Sequence, residues 1–166
     1  GFSTRPRSYF VKFLRGLGEN VRLYAGYYQG KMISGAVCTN YAGKTQAAIE
    51  ALRVYDFVCV HLEAPDECTH CGDLAGKIQA IENLDSLILH PLVAHLAQSP
   101  EPYRVLVLPD HQTLLTTRTH GGDPIPYFIY DSRETSGCGL PFQEKAAAGC
   151  PVVDPGAALM GRFLGE

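Results

Sequence analysis

A strand–helix–strand pattern constrains this 166-residue chain more than any other feature. Tyr55 to Leu62 reads YDFVCVHL, and Tyr103 to Leu108 reads YRVLVL. Both are short, nearly continuous apolar runs rich in β-branched and aromatic residues, as expected of buried strands. Between them, Leu74, Ile78, Ile81, Leu84, Ile88 and Leu92 recur at threes and fours. That spacing predicts a helix over 73–96, kinked or split at Pro91. Strand, long helix, strand is a βαβ crossover, so the expected class is α/β, a three-layer sandwich around a mainly parallel sheet. Residues 125–130 (IPYFIY) read as an antiparallel edge strand, because Pro124 and Pro126 limit its pairing. The remaining elements are weaker. They are an amphipathic helix over 8–17, one or two strands within 21–37, and a helix over 42–53 capped by Asn40. Closing helices are expected over 143–148 and 156–163. The length suits a single domain, 1–166.

Composition removes several function classes. The chain is 46% hydrophobic and 19% charged, too apolar for a disordered protein. A net charge of −3 excludes a strongly basic nucleic-acid binder and supplies no basic face for anionic lipid. No run approaches the ~18 apolar residues that a membrane span needs. The N-terminus lacks an apolar signal core, so a cytoplasmic setting is expected. Six irregularly spaced cysteines read as reduced thiols. Cys68 and Cys71 form a C-x-x-C, but no second ligand pair stands at zinc-knuckle spacing.

In an open α/β sheet, ligands bind beyond the carboxyl ends of the strands. Two loops leave strands at that edge, 63–70 and 109–111, and both carry metal-ligating residue types. Asp66 and His70 are four apart, which on a helical turn places both on one face. Asp110 and His111 are adjacent and can diverge toward two ions. The segment from Arg118 to Pro124 precedes the third strand. If that strand runs antiparallel to 105–108, His120 faces Asp110 and His111 across a short hairpin. Mixed carboxylate and imidazole donors suit Mn²⁺, Zn²⁺ or Mg²⁺ without choosing among them. Two close ions would suit a reaction that holds a phosphoryl group between attacking and leaving oxygens. Lys44, Arg15 and Arg118 are the basic groups nearest these segments. Arg118 is a candidate to contact phosphate, since a guanidinium matches phosphate oxygens at two points, with a solvated or structurally paired arginine as the alternative.

Three segments carry a resemblance. Residues 55–67 with His70, Gly72 and Asp73, residues 105–111, and Arg118-Thr119-His120 followed by Asp123-Pro124-Ile125-Pro126 resemble the archaeal-type cofactor-independent phosphoglycerate mutases. These belong to the alkaline phosphatase superfamily. The flanking stretches 13–18, 39–44 and 142–146 look familial at lower specificity, so residues 8–166 align with the family's C-terminal portion. The resemblance implies interconversion of 3-phosphoglycerate and 2-phosphoglycerate through a phosphoserine, the glycolytic step, with two divalent ions, usually Mn²⁺, and no organic cofactor. It implies that Asp66, His70 and His120 hold one ion and that Asp110 and His111 hold part of a second.

The chain also departs from the family pattern. No serine stands in the context of the family's nucleophile, and the segment bearing that serine and the substrate-holding domain are missing. Cys71 stands where an acidic residue is usual, and Thr69 where a small one is usual. The expectation is therefore a C-terminal part, excised or encoded as a remnant, that binds a divalent ion and has little turnover alone. Its partner is a small phosphorylated substrate rather than nucleic acid or membrane, and self-association into a homo-oligomer is expected through apolar surface that the lost strands would have covered. Two alternatives stand beside it. One is another phosphoryl-transfer enzyme of the superfamily, such as a phosphatase or a homoserine kinase-like member. The other is a non-catalytic metal-binding remnant.

Overall fold

The computed structural model describes residues 21–28, 31–38, 41–134 and 137–165. The expected helix over 8–17 and the Asn40 cap lie outside these. The chain divides into two compact units, residues 1–68 with 74–98 and residues 69–73 with 99–166.

In the first unit, β1 (Val21–Tyr28) and β2 (Lys31–Cys38) form an antiparallel hairpin with Tyr28 opposite Lys31. Helix α1 (Tyr41–Leu52) then leads to β3 (Val58–Val60), which pairs parallel to β2 with Cys59 opposite Gly35. A βαβ crossover is therefore present, but it runs β2–α1–β3. Helix α1 buries Lys44, Ala47, Ala48 and Ala51, positions spaced at threes and fours. The three alanines present a short surface, so α1 packs directly on β2 and β3. Lys44 is only 3% exposed, and its Nζ donates to the His61 carbonyl at 2.6 Å, just past the end of β3. That bond ties the first residue beyond the strand to the crossover helix. Helix α2 (Ala64–His70) follows.

The predicted long helix is present in three parts: α3 (Leu74–Leu84), a π-helical turn over Asp85–Leu89, and α4 (His90–Leu96). Pro91 explains the interruption. It falls in the first turn of α4, where a missing N–H is tolerated. In a continuous α-helix its ring would collide with the carbonyl of Leu87, four residues back, and leave that carbonyl without its usual donor. The π turn widens the backbone there, with the His90 N–H bonding the Asp85 carbonyl. Thr45 of α1 donates its hydroxyl to the Leu87 carbonyl at 2.6 Å. Ile88 is buried at 4% exposure, whereas Leu74, Ile78 and Ile81 stay half exposed along α3.

In the second unit, β4 (Arg104–Val107) pairs antiparallel with β7 (Phe128–Asp131), as the proline-limited pattern of 125–130 predicts. A second hairpin joins β5 (Gln112–Leu114) and β6 (Thr119–Gly121), with Thr113 opposite His120. Helices α5 (Glu144–Ala147) and α6 (Ala158–Leu164) close the chain. Asp131, 8% exposed, accepts from Arg104 Nε at 2.6 Å and from Arg133 Nε at 2.8 Å. Arg104 also donates to the Phe163 carbonyl at 2.9 Å, so this ion group fixes α6 against the β4–β7 ladder. The two arginines hold the Asp131 carboxyl far below the usual carboxylate range, the Arg133 bonds contributing most.

Three expectations need correction. Among the described residues one ladder is parallel and three are antiparallel, so the sheet structure is mixed rather than mainly parallel. The strands at 58–60 and 104–107 do not pair; each takes a different partner. An apolar run marks a strand but fixes neither its neighbour nor its depth. Strand β3 is part-exposed with Cys59 at the surface, and β4 is of intermediate exposure throughout, so neither is the buried strand expected.

Candidate metal centre

Helix α2 is built to present two ligand types on one face. Pro65 sits in its first turn, and the Glu67 N–H bonds the Glu63 carbonyl at 3.0 Å to open the helical ladder. Asp66 and Glu67 lie at the positive end of the helix and His70 lies at its negative end. Thr69 has no exposed surface and anchors the turn. Gly72, at φ +73°, ends the helix with its N–H on the Thr69 carbonyl at 2.9 Å.

Asp66 and His70 are thus one helical turn apart on a single helix. His70 Nε2 lies 3.3 Å from Nε2 of His120 on β6. Donor atoms of Asp66, His70 and His120 all fall within 4.8 Å of one another. His70 Nδ1 lies 2.8 Å from the carbonyl oxygen of Arg118, which is an acceptor only.

The β5–β6 register brings a third imidazole alongside. Thr113 is directly opposite His120, and His111 is two residues before Thr113. A period of two puts His111 and Thr113 on one face, so His111 becomes the diagonal neighbour of His120. The two rings stack, with centroids 3.8 Å apart and planes 29° apart. His111 Nδ1 is 3.2 Å from the Gln112 carbonyl and 3.3 Å from the Thr113 hydroxyl. Asp110 is 67% exposed, with Oδ2 3.7 Å from His111 Nε2. Asp110 and His111 therefore lie beside the three-residue cluster and outside it. Arg118 is exposed, at φ +54°, closing the loop between β5 and β6. The stacking of His111 on His120, and the approach of the Arg118 guanidinium to Gly72, where an added Cβ would lie 2.8 Å from its Cζ, were not visible in the sequence. The Gly after a helix end was the available signal for the second.

The two imidazoles of the cluster stand at a separation that suits one divalent cation. A tetrahedral ion with bonds of ~2.0–2.1 Å sets two ligand nitrogens about 3.3–3.4 Å apart. Octahedral bonds of ~2.0–2.6 Å give adjacent donors about 2.8–3.7 Å apart. The observed 3.3 Å satisfies either geometry, and the carboxylate adds negative charge. One carboxylate and two imidazoles leave open positions for water or a phosphate oxygen. Among the described residues, no helix is long and apolar enough to cross a membrane.

Comparison with known proteins places this geometry in context. The family model described as "Metalloenzyme superfamily" matches residues 28–149. A protein of Methanosarcina barkeri named 2,3-bisphosphoglycerate-independent phosphoglycerate mutase is 41% identical over 138 residues, covering 82% of this chain and 34% of that protein. A Geobacter sulfurreducens protein, named as a probable enzyme of the same kind, is 36% identical over 156 residues, covering 93% of this chain and 38% of its own length. Among solved structures, the PH0037 protein from Pyrococcus horikoshii matches with a TM-score of 0.58 and 28% identity, over 66% of this chain and 32% of that one. The chain spans about a third of the length of these relatives.

Proposed function

The chain belongs to the Metalloenzyme superfamily, and on that premise we propose that it is the C-terminal metal-binding part of a cofactor-independent phosphoglycerate mutase. The reaction is the interconversion of 3-phosphoglycerate and 2-phosphoglycerate through a phosphoserine, a glycolytic step in the cytoplasm. One observation carries the reading. Asp66, His70 and His120 present donor atoms within 4.8 Å of one another in a chain whose relatives bear that enzyme name.

In this reading Asp66, His70 and His120 hold one divalent ion, with Mn²⁺ preferred over Zn²⁺ or Mg²⁺. Asp110 and His111 supply part of a second site. Two ligands are too few for tight binding, so further donors come from the longer protein. A divalent ion there polarises a phosphoryl oxygen and offsets its charge. Arg118 offers its exposed guanidinium to the phosphate oxygens. The nucleophilic serine lies outside this chain, so the chain alone has little turnover. We take the two units as parts of one phosphatase-like domain, a three-layer sandwich completed by segments of the longer protein.

Titration calorimetry of the chain with Mn²⁺ and with Zn²⁺ tests the metal reading; about one ion is expected. Equal binding by a chain carrying both His70→Ala and His120→Ala would reject it. An enolase-coupled assay of the full gene product tests the substrate. Interconversion of the two phosphoglycerates in preference to hydrolysis of unrelated phosphomonoesters supports the assignment, and the reverse preference moves the chain to another branch of the superfamily.

A further inference from the structure

The contact between His70 and Arg118 decides which ring nitrogen can bind a metal. The Arg118 carbonyl only accepts, so at 2.8 Å the Nδ1 of His70 carries the proton. In the neutral ring the lone pair is then on Nε2, the atom that lies 3.3 Å from His120. The carbonyl is aimed by an uncommon backbone. Arg118 adopts φ +54° at the last position of the loop between Leu114 and Thr119, with its N–H on the Leu114 carbonyl at 2.7 Å. A side chain is strained in that region.

Something must hold Arg118 there, and Gly72 supplies the seat. A methyl group on Gly72 would lie 2.8 Å from Cζ, Nε and Nη2 of Arg118. The guanidinium thus occupies the space that any other residue at 72 would fill. Gly72 is itself at φ +73°, two residues beyond His70. The side chain and the carbonyl of one arginine therefore grip the end of α2 at two points, one on Gly72 and one on His70.

We propose that Arg118 is a positioning residue: seated on Gly72, it holds its own carbonyl against His70 Nδ1 and so fixes the tautomer that presents Nε2 to a divalent ion. The metal half of this inference rests on the reading of Asp66, His70 and His120 as ligands. The tautomer half does not. Partners that orient a ligating histidine typically change metal affinity 10–100-fold when removed.

The experiment combines two readouts on the whole chain at pH 8. Long-range ¹⁵N–¹H spectra of the metal-free protein report the tautomer of His70, and calorimetry with Mn²⁺ and Zn²⁺ reports affinity. The wild type is expected in the Nδ1–H form. Arg118→Ala is expected to mix the tautomers and to weaken binding about 10–100-fold. Arg118→Gly is expected to retain the Nδ1–H form and affinity within about threefold, because glycine enters the left-handed region unaided. An Nε2–H form in the wild type overturns the proposal, and so does equal loss in the alanine and glycine variants at 118. Loss of the tautomer without any metal binding in the wild type overturns the ligand reading alone and leaves the positioning of His70 standing. Circular dichroism confirms that each variant is folded, and the wild-type tautomer is decisive without any variant.

Discussion

Removing the Thr45 hydroxyl should expose the cost of carrying Pro91 inside a long helix. Thr45 is 7% exposed, and its hydroxyl reaches the Leu87 carbonyl at 2.6 Å. Thr45→Val keeps the shape and nearly the same helix propensity, so the change isolates the hydrogen bond. The hydroxyl also lies 3.2 Å from the Tyr41 carbonyl, a back-bond that contributes little to a helix. The loss should therefore be about 1 kcal/mol, the net contribution of a typical hydrogen bond at a part-buried site. For a chain of this size that corresponds to a fall of about 2–4 °C in Tm. The decisive measurement is a double-mutant cycle by urea denaturation. Pro91→Ala supplies the N–H that an α-helix would aim at Leu87, so Thr45→Val should then cost less than about 0.5 kcal/mol. The same cost in both backgrounds would refute the argument that the hydroxyl replaces the missing proline donor.

Acid unfolding should depend on Asp131. Its folded pKa lies far below the ordinary 3.8, so its stabilising contribution is full above that value and is lost as pH falls toward the folded value. Asp131→Asn should lower stability at neutral pH and flatten the acid limb of the Tm–pH curve below about pH 4; an unchanged acid limb would count against the Arg104–Asp131–Arg133 group. Mn²⁺ at about a hundredfold above its Kd should stabilise the chain by ~2.7 kcal/mol, seen as a Tm rise that a chelator reverses. Asp110→Asn should leave affinity at the three-residue cluster within about a factor of two, since exposed charges are screened; a tenfold loss by calorimetry would place Asp110 inside the site.

The elements that sequence reading located are those whose signal is local. Helix α1 at 41–52, the interrupted helix at 74–96 and strand β4 at 104–107 follow from spacing that a single segment carries. Pro91 announced a break, and the break is there in the form of a π turn. What failed was pairing. The run at 58–60 finds its parallel neighbour upstream in β2, because α1 is the helix that crosses between them. Strands β5 and β6 are three residues each, too short for alternation to register as a pattern. The exposed face of α3 shows the converse limit, since an apolar stripe states a demand for a covering surface without naming it.

The candidate site divides along the same line. Asp66 and His70 could be paired from sequence because four residues in a helix is a fixed distance. His120 could be assigned to them only through the family pattern, because its place depends on the register of a hairpin. Thr113 opposite His120 is what puts the His120 imidazole beside that of His111. A slip of one residue would turn His120 to the other face and bring Thr119 or Gly121 into its place. The four-residue loop that sets the register ends at Arg118, the residue whose carbonyl also holds His70. One backbone conformation therefore governs both the strand position of one imidazole and the proton position of the other. A chain that kept Asp66, His70 and His120 but altered the length of that loop would keep every ligand and still fail to gather them.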